Sequence, residues 1–555
     1  MKRMPLIVMI VVLAAAVPRI VGVWYGFPFL YHPDEEIFIG HAIRFGTGDL
    51  NPHWYNYPHL YMYLIFAADI VYFLCMKIAG VIKDAAAFKL EYILHPWKFY
   101  LIGRVLSALA GIMGAVSLYF AGREAGGRWA GAAAGLALAA YASHMYHSRM
   151  AVADATMCFF VCVSFALLCA FVARKQWRWF YLAVIASALG VATKYNAGFM
   201  IFALIPALLF TPGAGGARVR ARAAAISACL GIAFLFLGSP YLFLDFKSFY
   251  AGFGKEYSYI GTGWLGTEGV QNGWLYHLGT LWRNFKPPLF LLAFGGLFWW
   301  AFIRRNALAA VLAACFAVTF LYLGTRKIFS PHYLFPILPI LCISAGAALA
   351  AIRTRLKEAG LPQKRADLFC AALLAVFVVP PWVSGFREAI ILCREDTRTE
   401  ARNWIVENIP EGSYIALEAW GPWLGIERDE IETKYKNALE NDPAKAGFYR
   451  LRLEKGAFSP FRLYGLNSSD SDNLMERVKD STRYDFDALR DMGIEFVIIN
   501  ESMFLRYKRF PDLYPVQNRF YKTLDQEAHK IKEFPSLPTR PGPGLIVYKM
   551  PRAQG

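Results

Sequence analysis

Charge is what this sequence has least of. Of 555 residues only 18% are Asp, Glu, Lys or Arg, while 57% are hydrophobic; soluble domains carry about a quarter charged residues. A wholly soluble enzyme is therefore excluded, and lipid becomes the expected solvent for much of the chain. No phosphate-cradling P-loop and no HExxH pattern occur, which argues against an ATP-driven pump and a zinc protease. Nine cysteines offer no disulfide framework: eight lie inside apolar segments and only Cys393 lies beyond them. Cys158 and Cys162 have helical spacing, but no His or further Cys nearby makes a metal site of them.

Apolar runs of about the length that crosses a hydrocarbon core, roughly 17–25 residues, recur from Leu6 to Pro381. The first, Pro5 to Trp24 behind Lys2 and Arg3, is expected to be a retained span rather than a cleaved signal. Charge is also unevenly shared. Residues 386–555 hold 26 Lys and Arg against 27 Asp and Glu, whereas residues 1–385 hold 32 against 14. The positive charge of the first part sits in short clusters between apolar runs: Lys2/Arg3, Arg123/Arg128, Arg174–Arg178, Arg218–Arg222, Arg304/Arg305 and Arg353–Arg365. Such spacing is that of cytoplasmic loops rather than of a nucleic-acid surface, so no nucleic-acid partner is expected.

Between consecutive cytoplasmic clusters the chain must cross an even number of times. Pairs of apolar runs satisfy this from Arg128 onward. Before Arg123 there are three runs, and parity removes one; the run at 57–80, opened by Tyr57-Pro58-His59 and interrupted by Asp69 and Lys77, is expected to lie at the outer interface. The expected fold is thus an α-helical polytopic membrane protein with about 11 spans, its N-terminus cytoplasmic, in a cell (inner) membrane. Residues 1–385 form the membrane domain, with external loops 25–97 and 245–287. Residues 386–555 form an extracytoplasmic soluble α/β domain. In it, Ser413 to Leu417 and Gly493 to Ile499 read as strands and Thr399 to Asn408 as a helix.

With so few acids in the membrane half, His32-Pro33-Asp34-Glu35-Glu36 directly after the first span demands a reason. Two readings stand: a solvated helix start, where acids offset unpaired amides, and a general base at the lipid boundary, with Asp34 and Glu35 as catalytic candidates. Asp154, at the join of two spans, is expected on the same side, either paired with Arg149 or part of a site. External basic residues at span ends, Arg104, Arg149, Lys194, Arg326 and Lys327, with His332 beside them, are either interfacial snorkellers or partners for a lipid phosphate. Tyr57 and His59 open the interfacial helix as supporting residues. The loop from Asp245 to Lys286, with Tyr257 to Trp264 rich in glycine and aromatics, suits either a mobile cover or an aromatic anchor. No certain cofactor follows from these patterns; a divalent metal at the external carboxylates is left open, without ligand spacing to support it.

The order of these residues resembles the GT-C superfamily of lipid-carrier-dependent glycosyltransferases, specifically its protein O-mannosyltransferase and aminoarabinose-transferase group. The resemblance is carried by Asp34-Glu35 after the first span, Tyr57-Pro58, Ser148-Arg149 with Asp154, Thr193-Lys194, and His332-Tyr333-Leu334-Phe335-Pro336. Asp396 to Trp404 looks like the start of the soluble tail in bacterial and archaeal members. The resemblance implies a dolichyl- or undecaprenyl-phosphate sugar donor and a protein, lipid or glycan acceptor. It further implies inverting transfer with release of the polyprenyl phosphate, Asp34 as base, and Lys194 with its basic neighbours around the donor phosphate. Two departures stand out. Members often have Arg where this chain has His332, which is mostly neutral at pH 7 if its pKa is near the usual value of about 6.5. Aminoarabinose transferases open the interfacial helix with Lys-Pro where this chain has Tyr57-Pro58. The rival class, a transporter or flippase of lipid-linked saccharide, would show inverted repeats and midplane polar groups, whereas here the acids lie at span ends.

Overall fold

A computed structural model describes residues 6–263, 267–467 and 480–552. Lys2, Arg3 and Trp264, which figure in the patterns above, lie outside the described residues. The chain forms two compact units, both discontinuous in sequence: Met1–Val23, Asp34–Val71 and Tyr100–Ile390 make the first, and Trp24–Pro33, Tyr72–Phe99 and Ile391–Gly555 the second.

In order, the helices up to the tail are α1 (Leu6–Ile20), α2 (Pro33–Arg44), α3 (Leu60–Ile78), α4 (Ala85–Leu94), α5 (Trp97–Ala140), α6 (Ala142–His147), α7 (Ala153–Arg174), α8 (Trp177–Thr193) and α9 (Ile201–Phe210). They continue with α10 (Ala217–Gly238), α11 (Tyr241–Leu244), α12 (Phe246–Thr262), α13 (Gly273–Phe298), α14 (Ala307–Gly324), α15 (Leu338–Glu358) and α16 (Gln363–Ile391). Eight of the described helical segments are long and apolar enough to cross a membrane. This is a multi-pass membrane protein. Two helices are broken where chemistry demands it. α5 turns at Gly126-Gly127, where Gly127 takes φ 82°, a region glycine enters without steric cost. α13 breaks at Lys286 before Pro287-Pro288, prolines being well suited to restarting a helix.

Five of the basic clusters gather at one end of the first unit. Arg128 and Arg353 share Asp367 at 2.8 and 2.6 Å, and Arg174 pairs with Glu124. Gly126 lines one cavity with Arg304 and Thr354, and the space beside Gly213, in the turn before Arg218, adjoins the Lys175 ammonium. Helix α3 begins far from that end. The Tyr61 hydroxyl lies 3.0 Å from the Gly103 carbonyl and 2.7 Å from the Ser107 hydroxyl, and Leu60 packs near Gly238. By length and composition alone α3 is itself apolar enough to span, so its expected interfacial placement rests on parity.

The second unit holds α17 (Thr397–Asn408), β1 (Tyr414–Leu417), α18 (Arg428–Asn441), α19 (Pro443–Lys455), β2 (Arg462–Gly465), α20 (Phe486–Asp491), β3 (Phe496–Asn500), α21 (Glu501–Arg509), α22 (Pro515–Glu527), β4 (His529–Phe534) and β5 (Leu545–Lys549). Its sheet has the order β2-β1-β3-β5-β4, with β1 parallel to β2 and β3, and β5 antiparallel to β3 and β4. Ile415, Ile498 and Val547 bury one face against Ala401 and Ile405 of α17. Tyr25 and Tyr31 belong to this unit. The Tyr25 hydroxyl donates to Asp396 at 2.8 Å, and the Arg398 guanidinium lies 3.9 Å from the Tyr31 ring centre.

Candidate active site

Pro33 opens α2 with its φ already set for a helix, and Asp34, Glu35 and Glu36 fill the first turn, where carboxylates offset unpaired amides. Successive helical residues point about 100° apart, which separates their fates. Glu35 shares a stripe with Phe38, Ile39 and Ala42 and is buried with them, whereas Asp34 is exposed. Both Glu35 oxygens accept from Arg104: Nε to Oε1 and Nη2 to Oε2, each at 2.7 Å. The Ala151 amide adds a third bond at 2.6 Å, and Arg104 Nη1 donates to the Val23 carbonyl at 2.9 Å. Gly103 allows this approach, since a Cβ there would lie 2.7 Å from Ala151 Cβ and 2.9 Å from Ile39 Cδ1. Sequence reading placed Glu35 among the catalytic candidates and Arg104 among the external basic residues at span ends. Geometry joins the two in one buried ion pair that holds α2, α5 and the 149–152 turn together.

A second buried pair lies at the start of α7. Lys194, in the extended residue that ends α8, donates from Nζ to Asp154 Oδ1 at 2.7 Å, and both side chains are more than nine-tenths buried. Its ammonium lies 4.9 Å from the Tyr57 ring centre and 5.4 Å from that of Tyr333, a cation–π arrangement on two rings. Asp154 therefore pairs with Lys194 and not with Arg149. The charges of His147 and His332 are felt at Asp154, and that of Asp34 at Tyr57 and Tyr333. His147 Nδ1 donates to the Ser143 carbonyl at 2.8 Å, so its neutral form presents Nε2 as an acceptor for His332 Nδ1–H at 3.2 Å.

The external loop supplies a further acid that sequence reading missed. Its first part is the helix α12. Glu256 of α12 accepts from Asn56 Nδ2 at 3.3 Å; burial pushes its carboxyl above the usual range, while Lys194 opposes the shift. α12 is clamped to the Tyr55 segment. A Cβ on Gly252 would come within 2.8 Å of Tyr55 Cβ, and Asp245 accepts from the Tyr55 hydroxyl at 2.9 Å and Asn51 at 3.1 Å. Bonds from Ser248, Asn51 and Tyr55 hold the Asp245 carboxyl down at about 2. Tyr195 donates to the Tyr55 carbonyl at 2.9 Å, tying this clamp to the residue after Lys194.

The remaining candidates lie elsewhere in the first unit. Arg149 is buried with Nη1 on the Pro18 carbonyl at 2.8 Å, near Arg19 and Glu388. The Arg326 guanidinium stacks on Tyr322 at 4.5 Å and over Tyr257 at 5.6 Å. Lys327 is exposed, and its amide donates to Ile260 at 3.1 Å. Among the described residues, these contacts of Arg326 and Lys327 pin the far end of α12 and do not join them to Lys194. His59 is sealed in the interior, its Nδ1 2.9 Å from the Ser239 hydroxyl, so its part is to fix where α3 starts. Among the described residues no three His, Cys, Asp or Glu converge as a metal site.

Residues 101–242 match a sequence family described as dolichyl-phosphate-mannose-protein mannosyltransferase. That stretch contains Arg104, Arg149, Asp154 and Lys194. No curated protein sequence matches the chain. Among solved structures, the apo oligosaccharyltransferase of Archaeoglobus fulgidus aligns with a TM-score of 0.53 at 11% identity, over 94% of this chain and 72% of that one. The fold is GT-C. AglB of the same organism, in complex with an inhibitory peptide and a dolichol-phosphate, gives a TM-score of 0.52 at 11% identity with the same coverage of both chains. ArnT from Cupriavidus metallidurans bound to undecaprenyl phosphate is 15% identical over 98% of this chain and 97% of its own, with a TM-score of 0.49.

Proposed function

We propose that this chain transfers a sugar from a polyprenyl-phosphate donor to a protein, lipid or glycan acceptor, by inverting displacement at the outer membrane face, with Asp34 as general base. The observation that carries the reading is the buried ammonium of Lys194, held by Asp154 over the rings of Tyr57 and Tyr333, two tyrosines at which the charge of the exposed carboxylate Asp34 is also felt. The two charges suit the two ends of one displacement.

An acceptor hydroxyl or amine hydrogen-bonded to Asp34 attacks the anomeric carbon from the face opposite the phosphate. The new bond forms as the bond from that carbon to the phosphate oxygen breaks, the proton passes to Asp34, and the polyprenyl phosphate leaves with the electron pair. Lys194 keeps its position through Asp154 and the two rings, and its remaining N–H groups are suited to the charge growing on the departing phosphate. Glu35 and Arg104 fix the turn that presents Asp34. The match of residues 101–242 to a mannosyltransferase family supports the donor class. The gathering of basic loops at the opposite end of the first unit, the end the positive-inside rule assigns to the cytoplasm, supports the outer face.

Purified protein incubated with a radiolabelled polyprenyl-phosphate sugar and membrane extract tests the reading. Label transferred to an acceptor, or carrier released, is expected. Redistribution of intact label between vesicle leaflets without cleavage would make the protein a transporter.

A further inference from the structure

Two adjoining cavities lie at the end of the first unit where the basic loops gather, away from the candidate active site. The larger, about 630 Å³, is a groove between α13 and α15. Leu291 and Gly295 of the first helix face Ala348, Ile352 and Leu356 of the second, and Arg355 is the charged residue on its wall. The smaller, about 340 Å³, shares Trp299 and Ala351 with the groove and is lined by Arg304, Asn306 and Thr354. An apolar slot thus opens directly beside a polar pocket.

Three local features fit that division to an amphipathic ligand. A Cβ built on Gly295 meets nothing within 4 Å, so this wall of the groove is open space. Trp299 begins a π-helical turn, Trp299–Ile303, an expanded geometry common at functional sites; the Arg304 guanidinium lies 5.4 Å from its ring centre. Arg355 touches Glu358 at 3.3 Å with both side chains more than half exposed, a contact worth little in water and readily exchanged for a phosphate.

We propose that these two cavities form one binding site for an anionic membrane phospholipid, with an acyl chain along the α13–α15 groove and the phosphate between Arg304 and Arg355. The groove is cut into helices apolar enough to cross a membrane, so hydrocarbon has direct access to it. The basic end is the one expected at the cytoplasmic leaflet, where anionic lipids concentrate, and basic pockets between spans on that side suit their headgroups. The site is independent of the transfer reaction.

Full-length protein, delipidated in detergent, is titrated with phosphatidylglycerol and separately with phosphatidylcholine, while thermal unfolding and native mass spectra are followed. One retained phosphatidylglycerol per chain and a saturating rise in Tm are expected, with neither from phosphatidylcholine. The double variant Arg304→Gln/Arg355→Gln should weaken phosphatidylglycerol by about tenfold or more. Gly295→Leu should abolish retention while leaving the lipid-free Tm unchanged or higher, since leucine favours a helix over glycine. Equal response to both lipids, or unaltered binding by either variant, overturns the proposal. So does displacement of phosphatidylglycerol by lower concentrations of a polyprenyl phosphate, which would make the carrier the occupant. Should Gly295→Leu not accumulate, the double variant, altered only at exposed positions, carries the test.

Discussion

Glu35 takes both arms of the Arg104 guanidinium at 2.7 Å each, while Asp34, one position earlier, stays exposed. Neighbouring carboxylates of one helical turn are thereby given different work, and substitution should separate them.

Asp34→Asn keeps the size of the side chain and its ability to accept a bond at the helix start, so the protein should insert, fold and bind donor as wild type. Turnover should fall by at least the 10²–10⁴-fold typical of a lost general base. Retention of more than about a tenth of wild-type turnover would remove Asp34 from that role.

Glu35→Gln should instead act on stability. Breaking a fully buried pair leaves Arg104 uncompensated and costs about 3–5 kcal/mol, read as a lowered Tm in detergent and poor accumulation. Well-folded Glu35→Gln protein that is catalytically dead would transfer the chemistry to Glu35.

Lys194→Ala should raise the donor concentration needed for half-maximal rate by about one to two orders of magnitude, the worth of a charge-assisted contact of roughly 1.5–3 kcal/mol. It also strands Asp154. The double variant Lys194→Ala/Asp154→Ala should therefore recover Tm without recovering donor use. Recovery of both, or an unchanged donor dependence in the single variant, would leave Lys194 with a packing role only.

These contrasts show what could be read in advance. The stripe Glu35, Phe38, Ile39, Ala42 has helical spacing, so the burial of Glu35 was legible in the sequence, although the cluster of three acids drew attention to their shared charge instead. The strands around Ile415 and Ile498 and the helix over Thr399 to Asn408, which the structure starts at Thr397, follow from apolar periodicity, and the basic clusters from charge alone. The pairing of Asp154 with Lys194, forty positions away, and of Glu256 with Asn56, two hundred away, depends on how helices pack, which no local pattern encodes. Arg149, five residues from Asp154, turns to the Pro18 carbonyl instead, because chain proximity does not fix the direction of a buried side chain.

Sidedness is open to chemical labelling. After the exposed Cys75, Cys229 and Cys393 are changed to serine, Arg123→Cys should resist an impermeant thiol reagent in intact cells and Lys83→Cys should react. Labelling at 123 would break the parity argument and make α3 a full span.

Glu418, at the end of β1, gives the second unit a pH dependence. It accepts from the Asn500 amide at 2.7 Å and the Tyr484 hydroxyl at 3.0 Å, and from Tyr521, yet burial pushes its carboxyl up to about 7. A raised carboxyl holds its proton in the folded state after the unfolded state has lost it, so stability is greatest below the ordinary value and falls as pH rises toward 7, by an amount of order 3 kcal/mol. Amide exchange in β1 and β3 of the full-length protein, corrected for intrinsic rates, should quicken from pH 5 to 7.5, and Glu418→Gln should flatten that dependence. An unchanged slope in the variant would assign it to other groups.

The second unit is woven from three stretches of chain, and this bears on how the gene can change. A fragment starting at residue 391 would carry Asp396 and Arg398 without Tyr25 and Tyr31, which meet them in the folded unit. No single cut or recombination junction can lift this domain out whole. An insertion between residues 24 and 33, remote from the tail along the sequence, should register as damage to the tail's folding, and the two must diversify together.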